Sequence, residues 1–395
     1  MNTPEIYVVS AARTAIGTFG GSLKDVPPAE LATTAVKAAL ERAAVDPALV
    51  GHLVMGNVIP TDTRDAYISR VAAINAGIPK ETPAYNVNRL CGSGLQAIIN
   101  AAQTLMLGDA DIAIGAGAES MSRGPYLLPS ARWGARMGNV QAIDYMLGIL
   151  HDPFHGIHMG ITAENVAARN GITREMQDAL ALEDQKRAAH AIANGYFNEQ
   201  IATVEIQDRK GTKLFSVDEH PRATSLEQLA AMKPAFKKDG SVTAGNASGI
   251  NDGAAVVLLA SEAIARRLER QPMARILGLA SAGVEPRVMG IGPVPAVQKL
   301  CGRLGLTPGA FDAIELNEAF AAQALACLRG LGLADDAEHV NRHGGAIALG
   351  HPLGMSGARL VGSLARQLVA SGDRYGLATM CVGVGQGVAM AIERI

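Results

Sequence analysis

The sequence contains little cysteine. In 395 residues only four cysteines occur, far apart and without a CxxC pair: Cys91, Cys301, Cys327 and Cys381. This argues against a disulfide framework. The first ten residues lack a basic segment followed by an apolar one, and the last three residues are not a peroxisomal address. We therefore expect a reducing, cytoplasmic setting.

Long apolar runs and an excess of one charge are also missing. The apolar runs are about as long as a buried strand, well below the ~18 residues that suggest a membrane span. The 35 basic and 37 acidic residues give a net charge of -2 without long single-sign runs, so no broad cationic surface is available for nucleic acid. No P-loop is present. The sequence therefore predicts no membrane and no nucleic-acid partner.

Strand-like and helix-like segments alternate along the chain. Short β-branched runs at 6–9, 52–55 and 111–114 alternate with alanine-rich helical patterns at 30–44 and 96–107. This alternation is typical of α/β proteins. The length predicts two or three domains.

Two pairs of similar segments indicate an internal repeat. Residues 46–55 resemble residues 307–316, with prolines and apolar positions in step. Residues 108–113 resemble residues 372–377 at nearly the same offset. The shared order predicts two related halves.

A different kind of sequence separates these halves and contains the only Trp and most of the histidines. We predict an N-terminal half of residues 1–119 plus 249–271, an inserted loop domain of residues 120–248, and a C-terminal half of residues 272–395.

Cys91 lies where an apolar strand end meets small residues and a helical pattern, in VNRLCGSG. The positive end of a helix dipole favours a thiolate, and hence a nucleophile. An inert cysteine packed between strand and helix is the alternative, and position alone does not decide between them.

His351 stands among small residues in GHPLGMSGAR. Flanked by Gly350 and Pro352, it has little apolar packing of its own, and imidazole is a suitable partner for activating a thiol. A structural histidine is the alternative.

Two further motifs are ambiguous. Cys381 follows an apolar run in CVGVGQG, where a small core residue at a strand end is the simpler interpretation. The glycines of this motif are weak evidence for a dinucleotide site, because a strand-like run follows at 388–392 where such a site needs a helix. Asn317 in NEAF could cap a helix or aim a hydrogen-bond donor at a developing oxyanion.

Three histidines have a spacing that suggests a metal site: His151, His155 and His158. Pro153 and Gly156 break the helix that would align them. We expect no metal site.

Taken together, five motifs in this order resemble the thiolase family over essentially the whole chain. They are VNRLCGSG around Cys91, AESMSR at 118–123, NEAF from Asn317, GHPLGMSGAR around His351 and CVGVGQG from Cys381. The resemblance implies a duplicated βαβαβαββ fold, a five-layer αβαβα sandwich in which the insertion forms a coenzyme A domain.

The resemblance also implies the catalytic roles. Cys91 would be acylated while His351 takes its proton, and Cys381 would be the base of the condensation step. His351 and a water held by Asn317 would stabilise the enolate oxygen. The backbone N–H groups of Cys91 and Gly383 would face the thioester oxygen.

For coenzyme A, which would bind as substrate and not as a permanent cofactor, the resemblance implies contacts with several residues. These are Leu150, His158, Met159, Arg222, Ala244, Ser248, Ala319 and Phe320. Arg222 would meet the nucleotide end by charge pairing or stacking, or is an ordinary exposed arginine. Phe236, Met159 and Met289 would wall the acyl pocket, with plain core packing as the alternative.

The motifs depart from the family pattern at two positions. His343 replaces an asparagine and Val384 a glycine. We expect a short-chain enzyme acting on acetoacetyl-CoA, with a degradative 3-ketoacyl-CoA or β-ketoadipyl-CoA thiolase as the alternative. A decarboxylating ketoacyl synthase and a non-catalytic coenzyme A-binding subunit stay open. Family members are usually dimers or tetramers. We expect a homotetramer, with contacts from residues 120–143.

Overall fold

The computed structural model describes residues 4–209 and 211–395. Its main sheet contains strands from both halves of the chain. The strands are β1 Ile6–Thr14, β2 His52–Gly56, β3 Ala84–Val87, β4 Ile112–Ser120, β5 Asn251–Ser261, β6 Ala274–Gly283, β7 Ala313–Leu316, β8 Tyr375–Val382 and β9 Gln386–Arg394. The strand and helix predictions are confirmed with small end shifts: the strand predicted from 111 begins at Ile112, and the helix predicted from 96 begins at Ser93.

The longer helices pack on this sheet or belong to the insertion. They are α1 Pro28–Ala43, α2 Ile68–Asn75, α3 Ser93–Leu107, α4 Met159–Asn170, α5 Arg174–Ala193, α6 Pro293–Leu304, α7 Ala321–Gly330 and α8 Leu353–Ser371. Shorter helices span Tyr145–Ile149, Leu226–Ala230, Glu262–Ala265 and Ala346–Leu349. No helix within residues 4–209 and 211–395 is long and apolar enough to cross a membrane.

The order of elements is repeated, as the internal sequence similarity predicted. In both halves the first helix leads through a proline-containing 3-10 turn, Pro47–Leu49 or Pro308–Ala310, into a short strand. The third helix of each half ends at a left-handed glycine, Gly108 or Gly372, before the next strand. In the second half the third strand is reduced to one bridge, in which Val340 pairs with Ile314.

The sandwich has the predicted five layers. The strand order is β7-β8-β9-β6-β1-β5-β4-β2-β3, and β1 and β6 pair over only two residue positions where the two halves meet. One apolar core lies between the two half-sheets and includes residues of α3 and α8. A second core packs α1 and α2 on the first half-sheet, and a third packs α6 and α7 on the second.

The two inner helices approach each other closely at their N-terminal ends. A Cβ atom added to Gly94 of α3 would lie 2.6 Å from the carbonyl oxygen of Gly354, and one added to Gly357 of α8 would lie 2.2 Å from the backbone nitrogen of Leu95. Only glycine fits such contacts. The segments that precede these helices, with Cys91 and His351, are therefore held side by side.

The insertion consists of α4, α5 and small strand pairs. The pairs are Tyr126–Leu127 with Ile143–Asp144, His151–Asp152 with Ile157–His158, and Val204–Asp208 with Gly211–Phe215. The boundaries predicted for the three parts of the chain stay predictions.

Candidate active site

One of the four predicted catalytic side chains, Cys91, belongs to the first half, and the other three belong to the second half. Cys91 precedes the inner helix α3, and His351 precedes the inner helix α8. Asn317 follows β7 directly, and Cys381 lies near the end of β8. The duplicated fold therefore directs all four towards one end of the sandwich.

Cys91 lies in a tight turn before α3. Leu90 has a left-handed φ of 45°, and the thiol of Cys91 accepts hydrogen bonds from the N–H groups of Gly383 and of Cys91 itself. The side chain keeps partial solvent contact, yet protein encloses most of it. Desolvation therefore raises the pKa of the thiol to about 11, and the charge of Glu119 also raises it. The helix end favours the thiolate, but burial outweighs this effect in the resting thiol.

His351 is buried, and each of its two ring nitrogens contacts a polar side chain that orients the ring. Nδ1 lies 2.5 Å from Oγ of Ser356, and Nε2 lies 3.4 Å from Nδ2 of Asn317. The hydroxyl of Ser356 also donates to the carbonyl of Pro352. Since its single proton goes to the carbonyl of Pro352, the hydroxyl oxygen accepts from Nδ1–H, which leaves Nε2 of the neutral ring free to accept a proton. Burial, followed by the charge of Arg359, lowers the pKa of His351 to about 3, so the resting ring is neutral.

Asn317 does not cap a helix. Helix α7 begins only at Ala321, and its N-cap residue Phe320 makes no side-chain cap. The backbone N–H of Asn317 donates to the carbonyl of Thr379 in β8, which fixes the position of its side chain. Oδ1 of Asn317 is buried and has no hydrogen-bond partner within residues 4–209 and 211–395. The interpretation as a polar group directed at the site is therefore the one that fits the geometry.

Cys381 is buried in an apolar cluster that contains most of the predicted acyl-pocket residues. Its members are Met159, Ala163, Val242, Ala247, Met289, Ala319, Phe320 and Cys381, with Phe236 at the edge. Desolvation raises the pKa of Cys381 well above its usual value, and negative charge on Cys91 and Cys327 raises it further. Burial therefore places the pKa of Cys381 above the value of about 8.5 that an unperturbed thiol has.

Gly383 belongs to the tight turn between β8 and β9. The next two residues are left-handed, with φ of 67° at Val384 and 86° at Gly385. A β-branched residue in this region is strained by about 1–3 kcal/mol. The glycine that Val384 replaces would relieve this strain. The turn directs the N–H of Gly383 at the thiol of Cys91.

His158 and Phe236 form one wall of the pocket next to Cys381. Their rings stack with centroids 4.7 Å apart, and Nδ1 of His158 accepts the N–H of Gly160 at the start of α4. A Cβ atom on Gly160 would lie 2.2 Å from the Phe236 ring. Glycine is therefore required for Phe236 to lie against α4. Burial lowers the pKa of His158 to about 4.

The other predicted coenzyme A contacts lie around this pocket. The carbonyl of Leu150 accepts the N–H of Met159, and Ser248 donates from its N–H and hydroxyl to the carbonyl of Ala319. Arg222 and Ala244 are exposed and joined by a 2.9 Å hydrogen bond from Nη2 to the carbonyl. They are thus placed at a solvent-facing position, separate from the buried thiols.

Several residues that the sequence interpretation missed also belong here. Ser356 lies five residues after His351 within GHPLGMSGAR, and only the fold brings its hydroxyl to the imidazole ring. Glu119 accepts N–H groups of Val58, Ile59 and Gly354, which joins the AESMSR segment to the start of α8. A cavity of about 460 Å³ beside Phe236 is lined by three cations, Lys233, Lys237 and Lys238.

The remaining histidines of interest lie outside the catalytic cluster. The ring of His343 stacks on Tyr196. His155 bonds to Asp152 at 2.6 Å, and the edge of His151 meets His158. Within residues 4–209 and 211–395 no group of three or more His, Cys, Asp or Glu side chains is arranged to hold a metal ion.

Comparison with known proteins agrees with this geometry. The family model for the thiolase N-terminal domain matches residues 6–263, and the one for the thiolase C-terminal domain matches residues 270–394. A beta-ketothiolase of Cupriavidus necator is 55% identical over 395 residues, which is 100% of both chains. The crystal structure of the Bacillus anthracis acetyl-CoA acetyltransferase has a TM-score of 0.97 and 45% identity, and covers 100% of this chain and 99% of that chain. Human mitochondrial 3-ketoacyl-CoA thiolase in complex with CoA has a TM-score of 0.95 and 43% identity, with coverage of 100% and 98%.

Proposed function

Because the chain belongs to the thiolase family, we propose that it catalyses the reversible Claisen condensation of two acetyl-CoA molecules to acetoacetyl-CoA and CoA. The observation that supports this most directly is the convergence of Cys91, His351, Asn317 and Cys381 at one end of the inner helices. The names of the relatives, beta-ketothiolase and acetyl-CoA acetyltransferase, support the same reaction.

In the first half-reaction Cys91 becomes acylated. Its thiol proton passes to Nε2 of His351 while the sulfur attacks the carbonyl carbon of acetyl-CoA. The N–H groups of Cys91 and Gly383, which already point at this sulfur, receive the oxyanion. Each such donor lowers the barrier by roughly 3 kcal/mol. The bond to CoA then breaks, and the CoA thiolate takes a proton from Cys381.

In the second half-reaction Cys381 is the base. Its thiolate removes a proton from the α-carbon of the second acetyl-CoA, and the enolate carbon attacks the acyl group on Cys91. Protonated His351 and a water held by Asn317 stabilise the enolate oxygen. Cys91 leaves as a thiolate and regains its proton from His351, which restores the starting state.

Coenzyme A would be a substrate, with no permanently bound cofactor. We place its pantetheine and acyl end along Met159, Phe236, Met289, Ala319 and Phe320, beside Cys381. Leu150, His158 and Ser248 would border this path. Arg222 with Ala244, and the lysines at 233, 237 and 238, would provide contacts for the phosphates of the nucleotide end.

We propose short acyl chains as the preferred substrates, because the side chains of Met159, Met289 and Phe320 pack in the apolar cluster around Cys381. Degradative 3-ketoacyl-CoA thiolysis is the second candidate, supported by the name of the human relative. Steady-state thiolysis across acyl chain lengths distinguishes them. A kcat/KM that rises with chain length beyond acetoacetyl-CoA would reject the short-chain assignment.

We further propose a homotetramer in a reducing, cytoplasmic compartment. Strand β3 is an edge strand of the sheet, which is open to pairing with a second copy. The hairpin region at 126–143 exposes large apolar side chains, including Trp133 at 83% and Met137 at 97%, which supports a second contact. The four cysteines are free thiols. In sedimentation, Trp133→Glu is expected to convert tetramers to dimers, and an unchanged mass would contradict the second contact.

The decisive test of function uses the two reactive cysteines. Cys91→Ser is expected to abolish acylation when the protein is mixed with acetoacetyl-CoA and analysed by mass spectrometry. Cys381→Ser, mixed with acetyl-CoA, is expected to gain one acetyl group on Cys91 but to form no acetoacetyl-CoA. Cys301→Ser is the matched control, because Cys301 is buried in the outer core of the second half-sheet.

Two results would reject the proposal. Full turnover by either active-site variant would refute the roles of the two thiols. Binding of coenzyme A by the wild type without any acetyl adduct would instead identify a non-catalytic coenzyme A-binding subunit.

A further inference from the structure

We propose that Asp184 and Glu318 form a buried carboxyl pair that shares one proton and positions the segments bearing Asn317 and His351. This inference rests on the proposed function, because it assigns positioning residues to that reaction. Asp184 lies in the middle of α5, in the insertion, and Glu318 follows Asn317 directly. The two residues are 134 positions apart in the chain (318 minus 184) and belong to different motifs.

The geometry of the pair is specific. Both side chains are buried, with 3% and 5% exposure, and their carboxyl groups are hydrogen-bonded to each other. Asp184 accepts the N–H of Gly345 and, at 2.7 Å, the N–H of Ala348. Glu318 accepts the side-chain amide of Asn341 at 2.5 Å. All of these donors belong to the segment 341–348, which leads directly to His351.

Gly345 shows how closely this segment fits the pair. A Cβ atom added to Gly345 would lie 2.4 Å from Oε2 of Glu318 and 2.7 Å from Nδ2 of Asn341. Glu318 therefore occupies the space that any side chain at position 345 would need. The carboxyl pair sets the distance between the residue next to Asn317 and the turn before His351.

The pair retains one proton because the nearest cations of the described residues, Arg359 and Arg187, are bound to other acceptors, although the charge of Arg359 also favours ionised Asp184. Arg359 is bound to Glu315 at 2.7 Å, and Arg187 is bound to Glu183 and to the carbonyl of Val340. A cavity of about 490 Å³ reaches both carboxyl groups from outside, and its other ionisable lining residues are Glu183, Arg187, Asp335, Asp336 and Glu338. His220, near Ile347, is neutral because burial lowers its pKa to about 4.

Glu318 is the proton donor within the pair. Asp184 accepts two backbone N–H groups, which favours its ionised form, whereas Glu318 accepts one strong hydrogen bond from an amide. Burial and then the negative charge of Asp184 raise the pKa of Glu318 well above its usual value, which also favours the protonated form of Glu318. The neutral form of Glu318 therefore holds the two segments together, and its ionisation would place two repelling carboxylates in contact.

The test compares isosteric and truncated variants in the full-length protein. Glu318→Gln places an amide where the protonated acid lies, so its N–H can replace the shared proton. We expect the kcat of Glu318→Gln to equal that of the wild type near neutral pH. At alkaline pH the kcat of the wild type should fall as Glu318 ionises, and the kcat of the variant should not. Asp184→Ala and Glu318→Ala should lower kcat by about 10- to 100-fold, with little change in KM, because the catalytic side chains lose their alignment.

Glu175→Gln is the control, since Glu175 is also on α5 and its carboxyl is exposed and distant from the pair's hydrogen-bond partners. A Glu318→Gln variant as inactive as Glu318→Ala would overturn the shared proton. Wild-type kcat in both alanine variants would overturn the positioning role.

An unfolding measurement tests the pair without reference to catalysis. Glu318 has a higher pKa in the folded protein than its ordinary value of 4.5. Its contribution to the free energy of unfolding is therefore complete below pH 4.5 and is lost as the pH rises to the pKa of the folded state. Over that range the folding equilibrium constant of the wild type should fall by about tenfold per pH unit relative to Glu318→Gln. Identical pH dependence in the two proteins would overturn the shared proton even if acetyl transfer were absent. Absent acetyl transfer in the wild type would by itself refute only the proposed function.

Discussion

Replacing Ser356 by alanine tests whether its hydroxyl holds the ring of His351 in the productive orientation. The hydroxyl lies 2.5 Å from Nδ1, and both side chains are buried, at 2% and 4% exposure. Its removal leaves a buried ring nitrogen without a partner, which costs about 1–3 kcal/mol. If the ring escapes this cost by turning away, the productive orientation becomes about 5- to 150-fold rarer. We expect kcat to fall by this factor in thiolysis of acetoacetyl-CoA.

Because the change affects the ring and not the pantetheine path, KM for CoA should stay close to the wild-type value. Ser363→Ala is the matched control, since Ser363 lies on the same helix, is buried and bonds to Gln200 at 2.9 Å. A wild-type kcat in Ser356→Ala would refute the reasoning. An equal loss in Ser363→Ala would refute it too, because helix destabilisation would then explain both results.

Three further predictions concern stability and the active-site turn. Gly385→Ala would place a Cβ atom 2.3 Å from the carbonyl oxygen of Val284 at a φ of 86°. The backbone strain alone should lower the free energy of unfolding by about 1–3 kcal/mol. An unchanged midpoint of denaturant unfolding would refute this prediction. Asp218→Ala leaves the buried guanidinium of Arg13 without its partner at 2.7 Å, which should lower the free energy of unfolding by about 3–5 kcal/mol; a thermal midpoint equal to the wild type would contradict this. The pKa of His220 is lowered to about 4 by burial and then by a neighbouring arginine, so its contribution to stability is complete above pH 6.5 and is lost as the pH falls through 4. In His220→Gln the free energy of unfolding should therefore fall less steeply over this range, by about 1.4 kcal/mol per pH unit, and parallel curves would reject the assignment.

Local chemistry determined much of what the sequence alone predicted. The glycine that ends α3 and the alternating strand and helix patterns depend on neighbouring residues, so their prediction needed no tertiary contacts. The repeat at 46–55 and 307–316 predicted the duplication for the same reason. Cys91, His351, Cys381 and Asn317 were identified because each lies in a motif of neighbouring residues. That the fold directs all four to one end of the sandwich is a property of the structure.

The tertiary structure alone decided the properties that depend on enclosure and on distant partners. A helix terminus favours a thiolate, but the pKa of Cys91 is raised because residues distant in the chain enclose it, and no local pattern shows this. The side chain of Asn317 faces His351 and caps no helix because β7 pairs with β8. Asp184 and Glu318 meet only because the insertion packs its helix α5 against the second half. Desolvation of a side chain and its long-range contacts depend on residues that are distant in the sequence, so they are determined only by the folded structure.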